Sequence, residues 1–344
     1  MRSYKLLTVW GIPIRVNTSL LLFLPILAWL IGSGGQIELY AALIERLTGV
    51  GFDTARLRAG STPWLVGVVA AVGLFASVTV HELGHSWVAL RYGLEIESIT
   101  LWILGGLASL KSFPKEWDRE FWIAIAGPVS SVLVAGVCYG GALLAPPSSH
   151  VGRFVLGWLA VTNVTLAAFN LLPAFPMDGG RILRALLARS RPYGTATRLA
   201  ARVGVGFAFL FAIVAVLNFQ IILLLLALFI YGAATTESKA VLLDELLDGV
   251  TVGDIVTREP ATVDAGTTVE AFGRQLLQDR QSVHLVVDAD GSPVGVVTLA
   301  DLRGAKRADH AALTVRDIAR DVPRVDATAD AFDTLVALQG PGGL

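Results

Sequence analysis

His81, Glu82 and His85, in the stretch His81-Glu82-Leu83-Gly84-His85, are the residues whose types and spacing could do chemistry. Two histidines four positions apart project from one face of a helix and can hold one Zn²⁺, and a glutamate beside the first is placed to take a proton from water. The stretch lies in an apolar segment running from about Trp64 to Tyr92. A helix in lipid does not carry His, Glu and His unless they are paired or ligated, so these residues point to hydrolysis within or beside a bilayer.

The elements that must position them are membrane spans. The 344-residue chain is 54% hydrophobic and 16% charged, with a mean hydropathy of +0.65, which marks a polytopic membrane protein. Six segments are long and apolar enough to span: about 14–33, 64–90, 120–145, 153–172, 199–217 and 219–236. The last two are separated only by Asn218-Phe219-Gln220, which must form one tight turn. The first run, Ile14 to Ile31, lacks a small-residue cleavage pattern and reads as a retained helix, not a signal peptide. The one cysteine, Cys138, lies in an apolar run, so any metal must use His and carboxylate.

Loop charge sets the orientation. With a cytoplasmic N-terminus, thirteen Lys and Arg flank the spans on the cytoplasmic side and four (Arg46, Arg56, Arg58, Arg153) lie outside, which also makes the C-terminal tail cytoplasmic. The second span then runs inward, and His81, 17 residues after Trp64, falls in the cytoplasmic half of the bilayer at about 1.5 Å per residue. A partner ligand is expected at similar depth. Asp178, in Asn170-Leu171-Leu172-Pro173-Ala174-Phe175-Pro176-Met177-Asp178-Gly179-Gly180, meets that demand, because two prolines interrupt the fourth span near the same face. Taken alone, Asp178 would read as the N-cap of a helix from Gly179 to about Leu187. Coupled to the histidines it completes a two-His, one-carboxylate set with an open fourth position, the pattern of catalytic zinc.

These paired motifs and the six-span layout resemble the site-2 protease family of intramembrane zinc metalloproteases, over roughly residues 1–236. The resemblance implies His81, His85 and Asp178 as ligands of one Zn²⁺ per chain and Glu82 as general acid/base. It also implies that Asn170 lies near the reacting carbonyl, where its amide stabilises the oxyanion or holds a substrate strand. Gly105-Gly106 resembles the family's membrane-associated strand, which offers an edge to an unwound substrate. Ala126-Gly127-Pro128 resembles its third-span motif; the Val129-Ser130-Ser131 that follows is assigned to packing. No inserted PDZ-sized segment separates the motifs.

The charge balance changes sharply after the last span: residues 1–236 hold 17 Lys and Arg against 10 Asp and Glu, and residues 237–344 hold 10 against 18. The expected organisation is a membrane domain over 1–236, a linker over 237–250, and two repeats over 251–310 and 311–344. Thr251-Val252-Gly253-Asp254-Ile255 recurs as Thr314-Val315-Arg316-Asp317-Ile318, and Val263-Asp264-Ala265 as Val325-Asp326-Ala327. His284 to Asp288 and Pro293 to Thr298 read as strands joined at Asp290-Gly291. The unit resembles a CBS domain of α/β fold, which occurs in tandem, with the second copy incomplete. Gly295-x-x-Thr298-x-x-Asp301 matches the CBS nucleotide pattern, in which Thr298 and Asp301 would bind phosphate and ribose. Two readings of the tail stand open: a sensor of adenine nucleotide, ATP or AMP, or a purely structural or homodimerising unit.

The expected activity is thus endoproteolysis of transmembrane protein substrates in the lipid bilayer, and nucleic acid is not an expected partner. The alternative is a CBS-regulated ion transporter or channel using intramembrane His, Glu and Asp. That reading requires charges spread along several spans, whereas Glu82 and Asp178 are expected at one level.

Overall fold

The computed structural model describes residues 3–49, 51–103, 105–110, 115–257, 259–276, 281–304 and 313–339. Its contacts divide the chain into two units, residues 1–241 and 242–344.

In the first unit, Ile12, Ile14 and Val16 are buried while Arg15 is exposed, a period of two that makes a half-buried strand. This strand, β2 (Ile12–Asn17), forms a hairpin with β1 (Ser3–Val9) through Trp10-Gly11. Both turn residues have positive φ (51° and 83°), as a two-residue type I′ hairpin turn requires. The first span therefore starts later than expected: residues 14–17 are strand, and helix α1 (Thr18–Gly32) begins where Asn17 Oδ1 accepts from Ser19 N at 2.9 Å. At 15 residues α1 is too short to cross alone. It bends by 65° into α2 (Gly34–Thr48), and the two together have the length and apolarity of one span, either broken or re-entrant.

A short α3 (Thr54–Leu57) leads to α4 (Thr62–Arg91), whose Gly67 lies against α1. A Cβ there would sit 2.8 Å from the Ala28 carbonyl carbon, which fits the small residues found where membrane helices approach closely. Strand β3 (Ile96–Trp102) runs parallel to β2 and antiparallel to β4 (Gly105–Leu110), giving the order β1-β2-β3-β4. Ile12, Ile14, Val16, Ile99 and Leu101 pack from this sheet against Leu20 of α1 and Val78 of α4.

Helices α5 (Trp117–Leu144) and α6 (His150–Asn170) follow, and the chain then breaks before α7 (Asp178–Ala188). Helices α8 (Tyr193–Leu217) and α9 (Ile221–Leu247) are divided at Asn218-Phe219-Gln220, where Phe219 takes φ 54°. Among the described residues, five helices, α4, α5, α6, α8 and α9, are long and apolar enough to cross a membrane, or up to six if the bent pair is one span. Helix α9 continues through the charged segment after Thr236.

The second unit holds α10 (Val252–Ile255), β5 (Thr262–Asp264), α11 (Val269–Leu276), β6 (Val283–Val287), β7 (Pro293–Thr298), α12 (Leu299–Gly304), α13 (Val315–Ile318) and α14 (Ala331–Gln339). Strand β6 pairs parallel with β5 and antiparallel with β7, over a core of Val263, Phe272, Val286, Val297 and Val315. The sequence repeat appears as a reciprocal exchange of backbone hydrogen bonds. Val252 N donates to Ala329 O and Val315 N to Thr267 O; Gly253 N donates to Ala327 O and Arg316 N to Ala265 O. Each copy thus supplies its opening turn to the other. Val325-Asp326, the counterpart of part of β5, lies in no strand among the described residues.

Candidate metal centre

His81 and His85 lie one turn apart on α4 and share a face, as their spacing requires. Asp178 is the first residue of α7, after a non-helical stretch with a cis Phe175-Pro176 bond. Met177, not Asp178, is the cap residue, and the Asp178 carboxylate turns to the histidines instead. His81 Nε2, His85 Nε2 and Asp178 Oδ2 each lie 3.2 Å from the other two. Tetrahedral zinc with bonds of about 2.0 Å places its ligand atoms about 3.3 Å apart, so the three donors fit the ion. They form a group that could hold one metal ion, and it is largely buried.

The other ring nitrogens are held by α5. His85 Nδ1–H donates to the Ile123 carbonyl at 2.7 Å, and His81 Nδ1 lies 2.8 Å from Ser131 Oγ. Gly127, between these positions, is bare backbone facing both rings; a Cβ there would stand 2.7 Å from His81 Nε2 and closer still to His85. Gly84 of α4 admits the same approach from the opposite side, where a Cβ would come 2.8 Å from the Ala126 carbonyl oxygen.

A cavity of about 530 Å³ joins the three ligands to Glu82, Asn170 and the Gly105-Gly106 end of β4. Glu82 lies against Gly106, where an added Cβ would be 2.8 Å from Oε1. Asn170 ends α6 and donates through Nδ2 to Leu166 O at 3.0 Å.

Peptidase family M50 matches residues 69–152 and 146–213, and the CBS domain matches residues 252–308. A zinc metalloprotease of Methanocaldococcus jannaschii is 32% identical over 87% of this chain and 79% of its own. Rip3 of Mycobacterium tuberculosis is 35% identical over 80% of this chain and 72% of its own. The chain belongs to peptidase family M50, the site-2 proteases. It is a multi-pass membrane zinc metalloprotease that carries a CBS domain. A solved site-2 protease from M. jannaschii is 34% identical over 69% of this chain and 95% of its own, with a TM-score of 0.45.

In this M50 chain the CBS-pattern residues Thr298 and Asp301 are brought together, but on each other. The Thr298 amide and hydroxyl donate to Asp301 Oδ2 at 2.8 and 2.6 Å, and Arg320 Nε pairs with Asp301 Oδ1 at 2.8 Å. The same Thr-x-x-Asp closure recurs at Thr251/Asp254 and Thr314/Asp317, so it serves as a helix-capping device three times in this unit.

Arg184 reads in the sequence as a loop cation, and the structure buries it. It is 3% exposed, donates from Nε to Glu120 Oε1 at 2.7 Å, and pairs with Glu237 of α9. Its guanidinium lies 5.0 Å from the ring centres of Phe175 and Tyr193. Glu120, at the start of α5, is likewise buried and holds the other end of the Arg184 pair. A signal existed in the sequence only as one Arg and one Glu near span ends, where solvent-facing charges are also common.

Proposed function

We propose that this protease hydrolyses peptide bonds in or near transmembrane segments of membrane-protein substrates, with His81, His85 and Asp178 holding one zinc ion. The observation that carries the reading is the triangle of three donors 3.2 Å apart, opening on the same cavity as Glu82. Zinc in such a site lowers the pKa of water and polarises the scissile carbonyl. Glu82 takes the proton of the attacking water and returns it to the leaving amine as the peptide bond breaks. Asn170, with one N–H engaged by Leu166 O, keeps a second N–H to offer the carbonyl oxygen or a substrate strand. The Gly105-Gly106 end of β4 supports a substrate held extended beside Glu82, since neither glycine puts a side chain in its way.

The cation distribution supports a cytoplasmic N-terminus and tail. Asp248→Cys, with Cys138→Ala removing the native thiol, should then react with an impermeant maleimide only from the cytoplasmic side; labelling from outside would reverse the topology. For the tail, the internal closure of Thr298 on Asp301 favours the structural reading over nucleotide sensing. Calorimetric titration of the full chain with AMP and ATP should show no binding, and saturable binding lost in Asp301→Ala would restore the sensor reading. The activity itself is tested by incubating the reconstituted protein with single-span substrates. Cleavage should stop on chelation and return with zinc, and cleavage indifferent to chelation would exclude a metalloprotease.

A further inference from the structure

We propose that Ser131 is a positioning residue of the metal centre, its hydroxyl holding His81 in the tautomer that presents Nε2 to zinc. The proposal rests on the zinc reading above and extends it to a residue assigned, from sequence, to packing.

Three positions on α5 spaced by four, Ile123, Gly127 and Ser131, face the histidine pair. Each does something different. The Ile123 carbonyl can only accept, so the proton of His85 must be on Nδ1 and the lone pair of Nε2 points at Asp178 and His81. Gly127 contributes the absence of a side chain, which lets both rings lie against backbone. Ser131 stands in the corresponding place for His81, with Oγ 2.8 Å from Nδ1. It is fully buried, so water does not compete for that bond. With Nδ1–H donating to Ser131 Oγ, His81 also directs a lone pair at the shared centre, and the two rings are fixed from one helix.

A neutral ligand histidine whose second nitrogen is unanchored must choose its tautomer and ring angle at each binding event. Outer partners of this kind typically hold about 10–100-fold of metal affinity. A serine that only filled space would hold none.

The test measures zinc affinity of the purified full chain by chelator competition, alongside the melting temperature of the metal-free protein. Ser131→Ala and Ser131→Val should lose about 10–100-fold in affinity, and Ser131→Thr, which keeps the hydroxyl, should stay near wild type. The metal-free melting temperature should not track these losses. Wild-type affinity in Ser131→Ala, or equal losses in Thr and Val, would overturn the proposal. If the larger side chains do not fold, the Ala variant decides alone. Absence of zinc binding by wild type would overturn both this proposal and the reading beneath it.

Discussion

At the scale of residues, the site depends as much on missing side chains as on present ones. Gly127 leaves space that a methyl group would take from His85 and His81. Gly127→Ala should therefore lose bound zinc while the protein still inserts in the membrane, checked by metal analysis of the purified variant; full zinc occupancy would show that α5 can retreat. Asn170 acts on the substrate side in this account. Asn170→Ala should keep its zinc and lose about 10²–10³-fold in kcat, the cost of one oxyanion donor. Loss of zinc instead would place Asn170 among the groups that shape the metal site. That His81, His85 and Asp178 come together, with Glu82 beside them, was legible in the sequence because the spacing of the motifs is a one-dimensional property. The approach of Ser131 and Gly127 to the two rings was not, because it appears only when α5 is laid against α4.

At the scale of elements, Arg184 ties together α5, α7 and α9 and stacks on Phe175, three residues before Asp178. Removing it strands Glu120 in the interior, so Arg184→Ala should destabilise the protein by about 3–5 kcal/mol, read from unfolding in detergent. Glu237, with a side chain 37% exposed, can turn to solvent, so Glu237→Gln should cost far less. Equal losses would contradict this division. Spans α4, α5 and α6 were legible because apolar length is written directly in the sequence. The start of α1 was not: Ile14 and Val16 belong to the apolar run by composition and to β2 by alternation, and only the pairing with β1 and β3 decides between them. The Arg184 pair stayed hidden because a charge near a span end reads as solvated until its partners on two other helices are known.

At the scale of the whole molecule, a membrane-embedded hydrolase and a CBS-bearing tail differ in what sustains them. In the tail, burial pushes the Asp301 carboxyl upward most strongly, but donation from Thr298 and the Arg320 charge outweigh it and hold the group below the usual carboxylate range. The Arg316 guanidinium holds Asp288 down as well. Both contributions are complete above the unfolded value of about 3.9 and are lost as pH falls through the lower folded values. Protection factors of the β6 and β7 amides in the full chain, corrected for intrinsic exchange, should therefore fall below about pH 4, and Thr298→Val should start lower above about pH 4 and fall less; wild-type protection flat across this range would contradict it. The membrane unit rests on the chemistry proposed above, in which Glu82 carries a proton beside a zinc held by His81, His85 and Asp178 while a peptide bond breaks. The decisive experiment compares cleavage of a single-span substrate in lipid vesicles by wild type and Glu82→Gln, with zinc content measured on both. The two proteins should hold equal zinc, with cleavage about 10²–10⁴-fold slower in the variant; equal cleavage by both would rule out Glu82 as the proton carrier.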